Sequence, residues 1–296
     1  MRELVRDLSV ALRECVLPLL GSHAQRSHEG EAEGGDVTFA IDAAAEELLE
    51  SFLSERAPDV AFYSEDRGLV AGPGARTVLV VDPIDGTRPA LAGLESCCVS
   101  IAAAPLDDEP RFRDITDACV TEIKSGRMFL SGELEPALSA NERIDRMFWA
   151  FGFRGRPARE LTELLAELID ASSVGGAVFD LGSSAFNMTR VITGQLDAMV
   201  EPSTLMYEEL PTMRAAFERI GGGAVLTNAP YDIAAAWLLL REAGAVVSDA
   251  RGQPLDELPL LGSGADFQTS VVASANAALH GAILGAVNAG MERLRR

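Results

Sequence analysis

Residues 78–87 read Val-Leu-Val-Val-Asp-Pro-Ile-Asp-Gly-Thr. Four aliphatic residues lead straight into Asp82 and Asp85, and Gly86-Thr87 closes the stretch. An apolar run bounded by Pro and Gly predicts a buried strand over 77–82. Its end sets two carboxylates at a strand-to-loop junction, where catalytic groups often sit on a rigid scaffold. Two carboxylates at the end of a buried strand repel each other unless a cation joins them, and a divalent metal is the simplest candidate. The Asp-Gly step is also plain turn chemistry, so the reading depends on what else the chain supplies.

Upstream, residues 3–28 suggest one or two helices, and Glu29–Gly35 is acidic, Gly-rich and reads as a mobile loop. Ile41, Ala44, Ala45, Leu48, Leu49 and Phe52 recur at helical spacing, predicting an amphipathic helix over about 39–55. A short strand Val60–Tyr63 ends at Ser64-Glu65-Asp66. Downstream, strands are predicted near 97–104, 115–122 and 127–130, and residues 134–146 read as polar and helix-like. A strand near 147–151, a helix at about 158–171 and a strand ending near Asp180 follow. Gly182-Ser183-Ser184 opens another helix that stops at Gly194, and a strand 196–200 ends at Glu201. Residues 202–228 read as irregular with a helix near 208–220. Pro230 opens a helix to Arg241, with Gly244 as its stop and a strand at 245–248 after it. The reading divides the chain into an α+β half, 1–146, and an α/β half, 147–296, forming one catalytic unit.

Composition narrows the function. The net charge of −20 argues against a nucleic-acid backbone or an anionic membrane as partner. No apolar run is long enough for a membrane span, and the first residues lack the separate basic and apolar regions of a signal peptide, so a cytoplasmic protein is expected. A phosphate-bearing substrate would need local positive charge from metal or arginine; Lys124 is the sole lysine. Cys15, Cys97, Cys98 and Cys119 show no paired metal spacing and read as buried free thiols. The three histidines are poorly placed for a zinc site or a Ser-His-Asp triad.

Asp42, Glu65, Asp82, Asp85, Glu201 and Asp232 share one address, the junction of a strand or helix end with a loop. Asp42 and Asp232 each have a plain alternative as first-turn helix charges. Haloacid-dehalogenase-type phosphatases use Asp-x-Asp-Gly-Thr after an apolar strand, but here Pro83 and Ile84 separate the aspartates and the motif lies far from the N-terminus. The ordered set resembles the inositol monophosphatase superfamily instead. The matching segments are Asp36-Val-Thr with Asp42, Ser64-Glu65-Asp66, Asp82-Pro-Ile-Asp-Gly-Thr87 with Val99-Ser100-Ile101-Ala102, Gly182–Met188 with Gly194, Asp197 and Glu201, and Tyr231-Asp232 with Glu242-Ala-Gly244, over about 36–276.

The resemblance implies a layered α-β-α-β-α sandwich, a homodimer and a cluster of two or three Mg²⁺ ions, with Mn²⁺ as a substitute. Glu65, Asp82 and the Ile84 carbonyl would hold one ion; Asp82, Asp85 and Asp232 a second; Glu65 and waters a looser third. Thr87, paired with Asp42, would orient or deprotonate the attacking water, and the Gly86 and Thr87 amides would hold phosphate oxygens. Ser183, Ser184 and Glu201 match the positions that contact the alcohol, while helix capping is the plain reading of the two serines. The activity implied is release of phosphate from inositol monophosphate or a related sugar phosphate. Fructose 1,6-bisphosphate, 3′-phosphoadenosine 5′-phosphate and a non-catalytic metal-binding regulator are the alternatives. The chain departs from the pattern at Arg88-Pro89, at Ser64-Glu65-Asp66 in place of Gly-Glu-Glu, at Tyr231 in place of Trp, and in an insertion, Pro202–Pro230, where the family has only a handful of residues.

Overall fold

The computed structural model describes residues 1–296 except 33, 34 and 36. Asp36, and the Glu33-Gly34 part of the expected acidic loop, lie outside the described residues.

The first half builds a six-stranded sheet in the order β4-β3-β5-β6-β7-β8. Its strands are β3 (Val60–Ser64), β4 (Gly68–Val70), β5 (Thr77–Asp85), β6 (Cys98–Pro105), β7 (Asp117–Glu122) and β8 (Met128–Leu130). Only β3 and β5 pair in parallel; the other pairs are antiparallel. Helices α1 (Arg2–Val16) and α2 (Ala40–Arg56) cover one face. The short strands β1 (His28–Glu31) and β2 (Val37–Phe39) pair with each other, so part of the stretch expected to be a mobile loop is paired backbone.

The second half builds a five-stranded sheet, β10-β9-β11-β13-β12. These are β9 (Phe148–Ala150), β10 (Ala177–Phe179), β11 (Ala198–Glu201), β12 (Val246–Ser248) and β13 (Val271–Ser274). Helices α4 (Ala158–Ser172) and α9 (Ala277–Leu294) pack on its outer face through Leu161, Leu165, Ile283 and Val287. Helices α5 (Ser184–Ile192) and α8 (Pro230–Glu242) lie between the two sheets, sharing a core with Val78, Val80 and Val120 on one side and Met199, Val271 and Ala273 on the other. The layers therefore run α-β-α-β-α, as expected.

This layering explains the sequence of β5. Leu79 and Val81 face the α1/α2 core, while Val78 and Val80 face the α5/α8 core. A strand buried on both faces reads as a continuous apolar run rather than an alternation. Extended backbone would point Asp82 and Asp85 to opposite faces, because their spacing is odd. The register resolves this. Asp82 pairs with Ser100 and Asp85 with Cys98, so β5 carries one extra residue between them. Such a bulge re-aims the side chain that follows it, and it brings both carboxylates to one side.

Two expectations fail. Residues 134–146 hold only a 3₁₀ turn, Ile144–Arg146, and no helix. Pro136 lacks an amide hydrogen, and the amide of Ala137 is spent on the Ile192 carbonyl at 2.8 Å. The insertion is more regular than expected: α6 (Ser203–Glu209) and α7 (Met213–Ile220) are separated at Leu210-Pro211. Proline disfavours the helical conformation in the residue before it. Among the described residues, no helix is long and apolar enough to cross a membrane.

Candidate active site

The sites predicted from sequence converge on the seam between the sheets. Glu65, Asp82, Ile84, Asp85, Gly86, Thr87, Ser183, Ser184, Glu201 and Asp232 all line one cavity of about 260 Å³. Asp42 stands behind it, in a smaller cavity shared with Glu46, Glu65, Asp66 and Asp82.

Asp82, Asp85 and Asp232 form the centre. One carboxylate oxygen from each lies within 4.8 Å of the others. Asp82 and Asp85 are buried, and Asp232 is half-buried. Burial first, then the charges of Asp85, Glu65 and Asp232, hold the Asp82 carboxyl well above its usual range. Burial and Asp85 push Asp232 up to about 8. Burial also raises Asp85, opposed by three hydrogen bonds from the second half. Three oxygens this close, disfavoured as anions by burial and by one another, suit a hard divalent cation. Glu65, on the turn after β3, lies outside this triad but faces the same cavity.

The three aspartates are placed by different devices. Asp82 accepts from the Ile84 amide at 2.9 Å. Asp232 is the third residue of α8 and accepts from the Ala229 amide at 2.6 Å. The N-terminal dipole of α8 thus partly offsets the repulsion. Asp85 reaches across the seam. Ser183 donates its hydroxyl to it at 2.7 Å, and the amides of Ala185 and Ser184 donate at 2.5 and 3.3 Å. A carboxylate from the first half therefore caps the first turn of a helix in the second. Asp42 repeats the Asp232 device on α2, accepting from the Phe39 amide at 2.9 Å. The plain first-turn reading of Asp42 and Asp232 and their presence at the cavities are both correct.

Thr87 opens the short helix α3 (Thr87–Ala92), and its hydroxyl donates to the Ile84 carbonyl at 3.2 Å. This bond joins Thr87 to Ile84, while Asp42 lies in the smaller cavity beside Ile84. Gly86 precedes the helix with φ +91°, and a Cβ there would lie 2.6 Å from the Ser96 carbonyl and 2.9 Å from Ser183 Cβ. Gly86→Ala is expected to cost about 2 kcal/mol or more in stability, from the left-handed backbone together with the close contact. Denaturant melts check this, and a variant as stable as the wild type would contradict it.

The two serines are engaged. Ser183 donates to Asp85 and accepts from the Phe186 amide at 3.2 Å, so it caps α5 as its plain reading supposed. Ser184 donates to Asn228 Oδ1 at 2.7 Å. Glu201, 2% exposed, forms a buried ion pair with Arg156 at 2.7 Å and accepts from the Ser203 amide at 2.9 Å. Arg156 Nε also donates to Ser203 Oγ at 3.1 Å. Arg154, Arg156, Asn187, Thr227 and Asn228 line the cavity as well and were missed in the sequence. Arg154-Gly-Arg156 follows a strand in an acidic chain, and that signal was available. Asn187 stands inside the matching Gly182–Met188 segment, and nothing local marks Asn228.

Behind the cavity, Glu46 is 2% exposed and accepts from Ser64 Oγ at 2.8 Å, while its Oε1 has no hydrogen-bond partner. Burial pushes its carboxyl up to about 7, against the Ser64 hydrogen bond. The folded protein thus holds a proton that the unfolded chain releases near 4.5, and stability falls as pH rises from about 4.5 through 7. Glu46→Gln is expected to remove this slope, gaining on the wild type by on the order of 2 kcal/mol between pH 5 and pH 8. Urea melts at both values test it; equal pH dependence in the two proteins would refute it. Cys97, Cys98 and Cys119 are buried free thiols as expected, while Cys15 is only half-buried.

The five-layer fold and the clustered carboxylates at its seam point to metal-dependent phosphatases of small substrates. The model of the inositol monophosphatase family matches residues 2–292, and the chain belongs to that family. The match takes in both terminal helices, beyond the 36–276 that carry the motifs. An inositol-1-monophosphatase of Mesorhizobium japonicum is 28% identical over 230 residues, covering 74% of each chain. A fructose-1,6-bisphosphatase/inositol-1-monophosphatase of Methanothermobacter thermautotrophicus is 24% identical over 297 residues, covering 92% of this chain and 91% of its own. The crystal structure of extragenic suppressor protein suhB from Bartonella henselae shares the fold, with a TM-score of 0.72 at 20% identity over 96% of this chain and 97% of that one.

Proposed function

We propose that the protein is a Mg²⁺-dependent phosphomonoesterase that hydrolyses inositol monophosphate or a related sugar phosphate. The observation that supports this best is the Asp82–Asp85–Asp232 triad set beside the Gly86-Thr87 helix start in one cavity. Asp82, Asp85 and Asp232 would hold one ion, and Glu65, Asp82 and the Ile84 carbonyl another. When bound, the cations supply Lewis-acid stabilisation of phosphate charge and acidify water. The chain does the rest. The Gly86 and Thr87 amides receive phosphate oxygens at the start of α3. Thr87 and Asp42 orient the attacking water and take its proton. Glu201, held by Arg156, and Ser184 face the alcohol. Residues 1–146 and 147–296 act as one catalytic unit in this reading, supported by the Asp85 bonds across the seam. We also take the enzyme to be a homodimer, which analytical ultracentrifugation tests.

Fructose 1,6-bisphosphate is a second substrate in view, because the relative from Methanothermobacter thermautotrophicus carries both activities in its name. The test is phosphate release from a panel of inositol, sugar and nucleotide phosphoesters in the presence of Mg²⁺ or Mn²⁺. Release from an inositol or sugar phosphate is expected. No release from any ester with either ion would end the phosphatase reading.

A further inference from the structure

We propose that Ser64 and Glu46 are positioning residues for Glu65: together they clamp the turn that carries it, so that its carboxylate is held in place for a cation; this rests on the phosphatase reading above. Glu65 is half-buried on the turn between β3 and β4, and it lines both the large cavity and the smaller one behind it. A turn holds a side chain less firmly than a strand or helix does, unless the turn itself is tied down. Ser64 ties it. Its hydroxyl donates to Glu46 Oε2 at 2.8 Å and accepts from the Arg67 amide at 3.3 Å. The first bond fastens the start of the turn to α2, and the second closes the turn on itself.

Ser64 and Glu46 are both buried, so water does not compete for the bond between them. On the other side of Glu65, Asp66 accepts from the Thr38 hydroxyl at 2.5 Å. Both neighbours of Glu65 in the chain are therefore held by side-chain bonds to other elements. Glycine, which the family pattern places at position 64, has no hydroxyl and makes neither Ser64 bond. The clamp thus belongs to this chain, at one of the points where it departs from the pattern. Glu46 follows Asp42 on α2 by four residues, so the two share one face of that helix, and both line the smaller cavity. In our reading α2 serves the attacking water through Asp42 and the turn that bears Glu65 through Glu46.

The test is calorimetric titration with Mg²⁺ alone on the wild type, Ser64→Gly, Glu46→Leu and Glu46→Gln. The Mg²⁺ dissociation constant is expected to rise roughly three- to tenfold in Ser64→Gly and Glu46→Leu, as for the loss of one buried hydrogen bond. Glutamine keeps an oxygen that can accept from Ser64, so Glu46→Gln is expected to stay within about twofold of the wild type. In kinetic assays the Mg²⁺ concentration for half-maximal rate should rise by the same factor, while KM for inositol 1-phosphate at saturating Mg²⁺ stays constant. A generally loosened fold would not give that split. Should Ser64→Gly fail to fold, the contrast between Glu46→Leu and Glu46→Gln decides. Unchanged Mg²⁺ affinity in folded Ser64→Gly, or equal losses in Glu46→Leu and Glu46→Gln, overturns the clamp and leaves the phosphatase reading standing. A wild type that takes up no Mg²⁺ overturns both.

Discussion

Asp85→Asn is expected to lower phosphate release by roughly a thousandfold or more in a protein that still folds. Asparagine keeps an oxygen that can stand in the Oδ2 position and accept from the Ser183 hydroxyl and the Ala185 amide, so the cap on α5 survives in part. What it removes is one of three negative charges in the triad. The loss should therefore fall on kcat and on the Mg²⁺ concentration needed for half-maximal rate, with circular dichroism and a thermal melt close to wild type. Retained turnover at high Mg²⁺ would refute the assignment of Asp85 as a cation ligand. Collapse of the fold would instead show that the cap outweighs the charge. Asp85→Glu then separates the two, since it restores the charge at a shifted position.

The second large effect comes from removing the cation. The carboxyl of Asp232 sits at about 8 and that of Asp82 is raised well above its usual range. Both folded values exceed the unfolded ones, so the metal-free folded protein binds more protons between about pH 4 and pH 8, and its stability falls as pH rises through that window. A divalent cation takes the place of those protons. Mg²⁺ is thus expected to raise the Tm by roughly 5 °C or more at pH 8 and by much less at pH 5.5. Treatment with a chelator should abolish turnover at either pH, and added Mg²⁺ should restore it. A shift in Tm that is absent, or equal at both pH values, would remove the triad as the cation site.

Much of this was legible in the sequence because it is local. The run Val78–Val81 is apolar throughout, since both faces of β5 are covered, and that identified a buried strand ending in carboxylates. Pro230 and Gly244 marked the bounds of α8 within a residue or two. The ordered set of motifs, Asp82-Pro-Ile-Asp-Gly-Thr87 with Asp232-Ile-Ala-Ala downstream above all, carried the resemblance to the family. What escaped was pairing across distance. The extra residue in β5 shows only in its register with β6. The Arg156–Glu201 pair joins the loop after β9 to the end of β11, and no local pattern announces it. The breaks at Pro136 and Pro211 are different. At both, proline stands in the sequence and limits the helix locally.

The bonds from Asp85 to the start of α5 also set an order of events in the life of the chain. During synthesis the first half leaves the ribosome, and can fold, before the second exists. At that stage Asp82 and Asp85 are present, but Asp232 is not, and neither are the amides and hydroxyl that hold Asp85. In our reading an unfinished chain therefore lacks one of the three triad carboxylates and the bonds that hold another, so the triad is incomplete until the second half arrives. The joining of the halves and the arming of the catalyst become a single event, placed at the end of manufacture.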